Sequence, residues 1–154
     1  MKSVTDLADV AGIYRVSDTL HLGFVTEDGP YVVPVSCGTE IVDDQIVLYV
    51  FSIPGGKLHG FLSDEGTRVC AQCEIVYQYY EIPGEAIGVS YASAIGYGHP
   101  EKLADEDQAY AMDMILTHYG YEGYPYNKEL LGKLDMFKIV LDDVTGKMNI
   151  NAPD

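Results

Sequence analysis

Apolar residues recur at Leu7, Val10, Ala11 and Tyr14, the spacing of one helix face, with Thr5 placed as an N-cap. The pattern predicts a short amphipathic helix over 5–14. From Thr19 to Thr26 the chain reads as extended and apolar, Glu27-Asp28-Gly29 supplies turn chemistry, and Tyr31 to Cys37 is again strand-like, so a hairpin is expected. After a polar turn at Asp43-Asp44, Ile46 to Phe51 is apolar on both strand faces, which requires cover on both sides. Pro54-Gly55-Gly56 breaks that strand, and Lys57 to Ser63 reads as a short helix.

Thr67 to Tyr80 alternates, with Val69, Ala71, Cys73, Ile75 and Tyr77 on one face and Cys70, Gln72 and Glu74 on the other. In the next strand, Ile87 to Gly98, one face carries only small residues: Gly88, Ser90, Ala92, Ala94, Gly96 and Gly98. Such a face invites close approach by a flat group or by another backbone. Asp105 and Gln108 resemble a capping box for a long helix that carries Ala109, Met112, Leu116 and Tyr119 and stops at Gly120. A tyrosine-rich loop, a short helical stretch and a last strand from Asp135 to Leu141 complete the chain. Hairpin-linked strands with helices at the ends and in crossovers indicate an α+β, mainly β domain built on a small antiparallel barrel. A single domain over 1–154 is expected, with no repeat or linker.

Charge narrows the partners. A formal net charge of -15 repels polyanions, which argues against nucleic acid and anionic membrane surfaces. Three cysteines and a start without an apolar run suggest neither a disulfide framework nor a signal peptide, and no stretch is long enough for a membrane span, so a cytoplasmic protein is expected. Against this acidic background Lys57 is the only Lys or Arg between Arg15 and Arg68. It follows Ser52 and the Gly55-Gly56 pair at the start of a helix, a set suited to an anionic phosphate, although a solvated surface lysine is the ordinary alternative. The spacing is not that of a P-loop.

Pro34 deletes a ladder donor in mid-strand, so it lies either on an edge or where the backbone at Val35 and Ser36 opens toward a ligand with polar ring edges. Cys70-Ala-Gln-Cys73 looks like a metal or dithiol pair, but residues three apart on a strand point to opposite faces. His21, His59, His99 and His118 are scattered on different elements and assemble no hydrolytic triad. Asp105-Glu106-Asp107 suits a helix N-terminus, and the Tyr119 to Tyr126 cluster serves packing or covers a planar ligand.

The order of Leu22-Gly23-Phe-Val, the Asp-Gly turn, Pro30-Tyr-Val-Val-Pro-Val-Ser36, Ser52-Ile-Pro-Gly-Gly-Lys57-Leu58 and Arg68-Val69-Cys70 resembles the FMN-binding split-barrel superfamily related to pyridoxamine 5'-phosphate oxidase. Tyr91-Ala-Ser93-Ala-Ile-Gly96-Tyr-Gly98 and Thr145-Gly146-Lys147 are similar to its nitroimidazole-reductase branch, and the likeness covers roughly residues 5–149. The resemblance implies a six-stranded antiparallel split β-barrel with flanking helices, a homodimer, and FMN at the dimer interface. It places the backbone around Val33, Pro34, Val35 and Ser36 along the isoalloxazine and ribityl groups, gives the phosphate to Ser52 and Lys57, and counts Phe51 and Leu58 among the cofactor-binding residues. Ala92 and Ser93 would approach the flavin or the partner subunit.

The implied activity is FMN-dependent reduction of a small planar substrate, a nitroaromatic such as a nitroimidazole among the candidates, with electrons from NAD(P)H or a reduced donor. The alternative is a flavin- or haem-binding sensor or carrier without turnover. Phe51 stands where the nitroimidazole-reductase branch often has histidine. The arginine-rich, tryptophan-containing C-terminal segment of true pyridoxamine 5'-phosphate oxidases has no counterpart in a chain without Trp, which argues against vitamin B6 oxidation.

Overall fold

A computed structural model of the chain describes residues 1–150. Eight strands and three α-helices follow in the order β1 (Lys2–Val4), α1 (Leu7–Val16), β2 (Leu20–Thr26), β3 (Gly29–Val35), β4 (Gly38–Val42), β5 (Gln45–Ser52), α2 (Lys57–Leu62), β6 (Val69–Ile82), β7 (Ala86–Lys102), α3 (Gln108–His118) and β8 (Asp135–Asn149). Short 3-10 turns occupy Asp105–Asp107 and Lys128–Lys133. All pairings are antiparallel, in the order β3-β2-β6-β7-β8-β5-β4, with β1 added on β8.

The two edge strands, β3 and β4, are consecutive in sequence and joined only by Ser36-Cys37. So short a link forces the sheet to curl until its edges approach each other, yet no ladder joins them. The result is a split barrel, as expected, with eight strands rather than six. The two additional strands are the three-residue β1 and β4, which forms a hairpin with β5 through Asp43 and Asp44, both at positive φ (51° and 60°).

The barrel interior is filled by α1. Val10, Ala11, Ile13 and Tyr14 are buried, and the Tyr14 hydroxyl donates to the Ala71 carbonyl at 2.8 Å. The small face of β7 makes room for this packing. A Cβ on Gly96 would lie 2.7 Å from Leu141 and 2.9 Å from the Tyr14 hydroxyl, and one on Gly98 would lie 2.2 Å from the Val140 carbonyl oxygen. β5 buries both faces: Ile46, Leu48 and Val50 point into the barrel, while Val47 and Tyr49 join Ala111, Met112 and Ile115 of α3 in a second core.

Several boundaries move from their sequence-based positions. Asp6, not Thr5, caps α1, its carboxylate accepting the Asp9 N–H at 3.1 Å. No side chain caps the 3-10 turn at Asp105–Asp107 or α3. The end of α3 is as expected: the Tyr121 N–H donates to Leu116 and that of Gly120 (φ 84°) to Thr117, closing the helix. β8 continues past Leu141 because Asp142 is accommodated as a bulge opposite Tyr97 and Gly98, where its carboxylate pairs with Arg68 at 3.2 Å.

Candidate functional site

The seam of the barrel concentrates the residues singled out in the sequence. β3 pairs only with β2, so Pro34 sits on an edge strand where its missing N–H breaks no second ladder. Val33 and Val35 are half-buried and packed on the interior core, whereas Pro34 and Ser36 are exposed. At the end of β3 the Tyr119 hydroxyl accepts the Cys37 N–H at 3.2 Å and donates to the Asp18 carbonyl at 2.9 Å. The first tyrosine of the loop cluster thus pins the crossover between the two edges.

Across the seam, β4 pairs with β5 only as far as Tyr49, so Val50 to Ser52 has a ladder on the β8 side alone. Ser52 lies on the interior face and is buried, while Phe51 points the other way and packs on the second core. The two neighbours therefore address different spaces. The chain leaves β5 through Pro54-Gly55-Gly56, with Gly55 at φ 96° and open space around both glycines. α2 is held inward by Phe61, which lies 5.3 Å from both Phe24 and Tyr31 between ring centroids, and by the buried Leu62; Leu58 packs on the same interior core.

Lys57 is exposed and, among the described residues, makes no ion pair. It borders an open hollow of about 610 Å³ between α2 and the β2–β3 hairpin, whose lining also includes Glu27, Asp28 and Asp64. Lys57 is the hollow's one cation.

Behind the loop sits a cluster that sequence reasoning missed. His59 Nε2 lies 2.6 Å from Asp135 Oδ2, and Lys102 Nζ lies 3.1 Å from Asp135 Oδ1. Asp135 is the register partner of Ser52. The hydrogen bond from His59 is the main cause holding the Asp135 carboxyl below the usual carboxylate range; Lys102 adds to it and burial opposes it. The three residues come from α2, β7 and β8, so no local spacing could have revealed them.

The other expected site residues lie apart. Ala92 is fully buried in the barrel interior, and Ser93 faces outward between Glu74 and Lys147 on the neighbouring strands. Cys73 is buried on the interior face and Cys70 is half-exposed on the outer one, so the two thiols diverge. Burial pushes the Cys73 thiol up to about 11 and that of Cys37 up to about 12. The outer face of β3, β2, β6 and β7 leaves Val25, Val32, Ile95 and Tyr97 exposed. Open hollows of about 450 and 380 Å³ run along it past Gly23 and Cys70. No helix among the described residues is long and apolar enough to cross a membrane.

Comparison with known proteins places this geometry. Among solved structures, a putative 5-nitroimidazole antibiotic resistance protein from Bacteroides thetaiotaomicron aligns with a TM-score of 0.79 at 25% identity, covering 96% of this chain and 87% of its own. An FAD- and heme-binding protein from Mycobacterium smegmatis aligns at 0.78 and 17% identity, covering 100% of this chain and 76% of its own. The flavocytochrome Anf3 from Azotobacter vinelandii aligns at 0.76 and 15%, covering 98% and 71%. At these lower identities the likeness is one of fold. A search of curated protein sequences finds no match. The family model described as pyridoxamine 5'-phosphate oxidase matches residues 12–148, a span that takes in the second half of α1, both edges of the seam, the Lys57 loop and nearly all of β8, and the chain belongs to that family.

Proposed function

We propose that this chain binds FMN at the barrel seam and acts, as a cytoplasmic homodimer, as a flavin-dependent oxidoreductase for a small planar substrate, with a nitroaromatic as one candidate. The observation that carries the reading is Lys57: an ammonium without an ion pair among the described residues, on a Gly55-Gly56 loop that leads directly from Ser52 at the seam. The residues fit a phosphate monoester. The glycines leave open space around the loop, and among the described residues the ammonium makes no ion pair.

In this reading Lys57 and the loop hold the phosphate, and the edge backbone at Val33 to Ser36 offers N–H and C=O groups unclaimed by a second strand. Val33 and Val35 present apolar surface beside that edge. The flavin, when bound, supplies the redox chemistry, taking electrons from NAD(P)H or a reduced donor and delivering them to the substrate. Homodimerisation is supported by the apolar outer face around Val25, Val32, Ile95 and Tyr97, since contiguous exposed apolar patches mark interaction surfaces. It is supported also by the β6–β7 hairpin beyond Gln78. There, among the described residues, the two strands pair only with each other, with Tyr79 and Ile87 exposed, and an isolated two-stranded ribbon is marginal in water.

A carrier of flavin or haem without turnover is the second reading, favoured by the apolar character of Val33, Val35 and Leu58, none of which is an acid, base or nucleophile. The two are separated by mixing the FMN-loaded protein anaerobically with NADH or NADPH and then with a nitroaromatic. Bleaching of the flavin followed by loss of the nitro compound supports the oxidoreductase; stable flavin absorbance with every donor supports the carrier.

A further inference from the structure

Asp135 presents a difficulty for any phosphate site at Lys57. A carboxylate there is the register partner of Ser52 and is bonded to His59, two residues after Lys57, so a negative charge is tied to both ends of the segment that carries Lys57. The rest of the vicinity is already acidic, with Glu27, Asp28 and Asp64 on the hollow. What distinguishes Asp135 is that both its oxygens are engaged, Oδ2 by His59 at 2.6 Å and Oδ1 by Lys102 at 3.1 Å. The pairing is firm on the Asp135 side, where only 17% of the side chain is accessible, and looser on the Lys102 side, where 53% is.

We propose that the Asp135–His59–Lys102 cluster determines how strongly the site prefers a phosphorylated flavin over the same flavin without phosphate, acting through charge and not through contact. The inference rests on the reading that Lys57 holds a flavin phosphate. The Asp135 carboxylate projects a negative field onto an incoming dianion, and Lys102, paired with its Oδ1, cancels that field. Asp135 and Lys102 are thus specificity-determining residues, and His59 ties Asp135 to α2. Phe137, whose ring lies edge-on to His59 with centroids 6.0 Å apart, packs beside it from the interior core.

The test compares FMN with riboflavin, which carries the same ring and ribityl chain and lacks only the phosphate. Dissociation constants for both are measured by flavin fluorescence on the full-length protein, for the wild type, Lys102→Met, Asp135→Asn and the double variant. The ratio of the two affinities reads the phosphate alone, because any general damage to the fold weakens both flavins together. Lys102→Met is expected to lower the preference for FMN and Asp135→Asn to raise it, each by about three- to tenfold, the scale of one unit charge within about 10 Å at intermediate dielectric. The double variant should return close to the wild-type ratio, and raising the salt concentration should shrink every difference.

Ratios that stay fixed while both affinities fall in parallel would show a structural role only and overturn the proposal. So would a shift in the same direction for Lys102→Met and Asp135→Asn. A wild type that binds FMN and riboflavin equally overturns the phosphate site at Lys57 and this inference together, while leaving flavin binding itself standing. Binding of neither flavin overturns the functional reading as well.

Discussion

Lys57 and Asp135 are the residues on which the account turns, and they differ in how far the sequence exposes them. Lys57 is visible as an isolated cation after paired glycines, and the structure leaves it without an ion pair among the described residues, on the lining of a hollow. Replacing it with alanine should weaken FMN binding by about 1.5–3 kcal/mol, the scale of a charged hydrogen bond, and leave riboflavin affinity unchanged; paired titrations check this. Asp135 is invisible locally because its partners lie on other elements. Its carboxyl is held below the ordinary range, so its contribution to stability is complete above the unfolded-state value of about 3.9 and is lost as pH falls through the folded one. The stability difference between wild type and Asp135→Asn, measured by urea unfolding, should therefore be largest near neutral pH and fade in strong acid. A difference that grows on acidification would contradict the assignment.

At the scale of elements, the pattern of apolar positions located α1, the β2–β3 hairpin, β5, α2, β6 and α3, because each buries a face with a regular period. It missed β4, whose Gly38-Thr39-Glu40 start reads as polar loop. That segment is a strand because α3 packs on it: a Cβ on Gly38 would sit 2.7 to 2.9 Å from Met114 and Ile115 backbone and side-chain atoms. It also stopped β8 at Leu141, since Asp142-Asp143 resembles a turn and a bulge leaves no periodic signature. The small face of β7 was legible, but its use was open between ligand and packing, and Tyr14 and Val140 occupy it.

Two glycines give predictions of opposite sign. Gly38→Ala should destabilise the protein by about 1–3 kcal/mol, because helix backbone and not a flexible side-chain tip stands in the way. Gly12→Ala lies in the middle of α1 with nothing within 4 Å of the new methyl, and should stabilise by about 0.5–1 kcal/mol through helix propensity. Thermal unfolding of the two variants checks both.

For the molecule as a whole, the curled sheet with consecutive edge strands explains how one seam gathers β3, the end of β5 and the Lys57 loop that follows it, although β3 and β5 are not adjacent in the sheet order. That long-range convergence is what a single sequence hides; resemblance to a family supplied it, whereas periodicity did not. The same architecture turns an apolar face outward in a chain with a formal net charge of -15, where copies repel unless the contact itself is uncharged. Val25, 91% exposed, is part of that face. Val25→Asp should convert a dimer to a monomer in size-exclusion chromatography with light scattering, with little effect on the circular dichroism of the folded barrel. A wild type that runs as a monomer at every concentration would remove the dimer from the account.

The most direct measurement is a titration of the full-length protein with FMN, followed by dialysis and a count of retained flavin per chain. One FMN per chain is expected, retained with micromolar or tighter affinity by the wild type and more readily lost on dialysis from Lys57→Ala. Failure to retain flavin at micromolar FMN would contradict it.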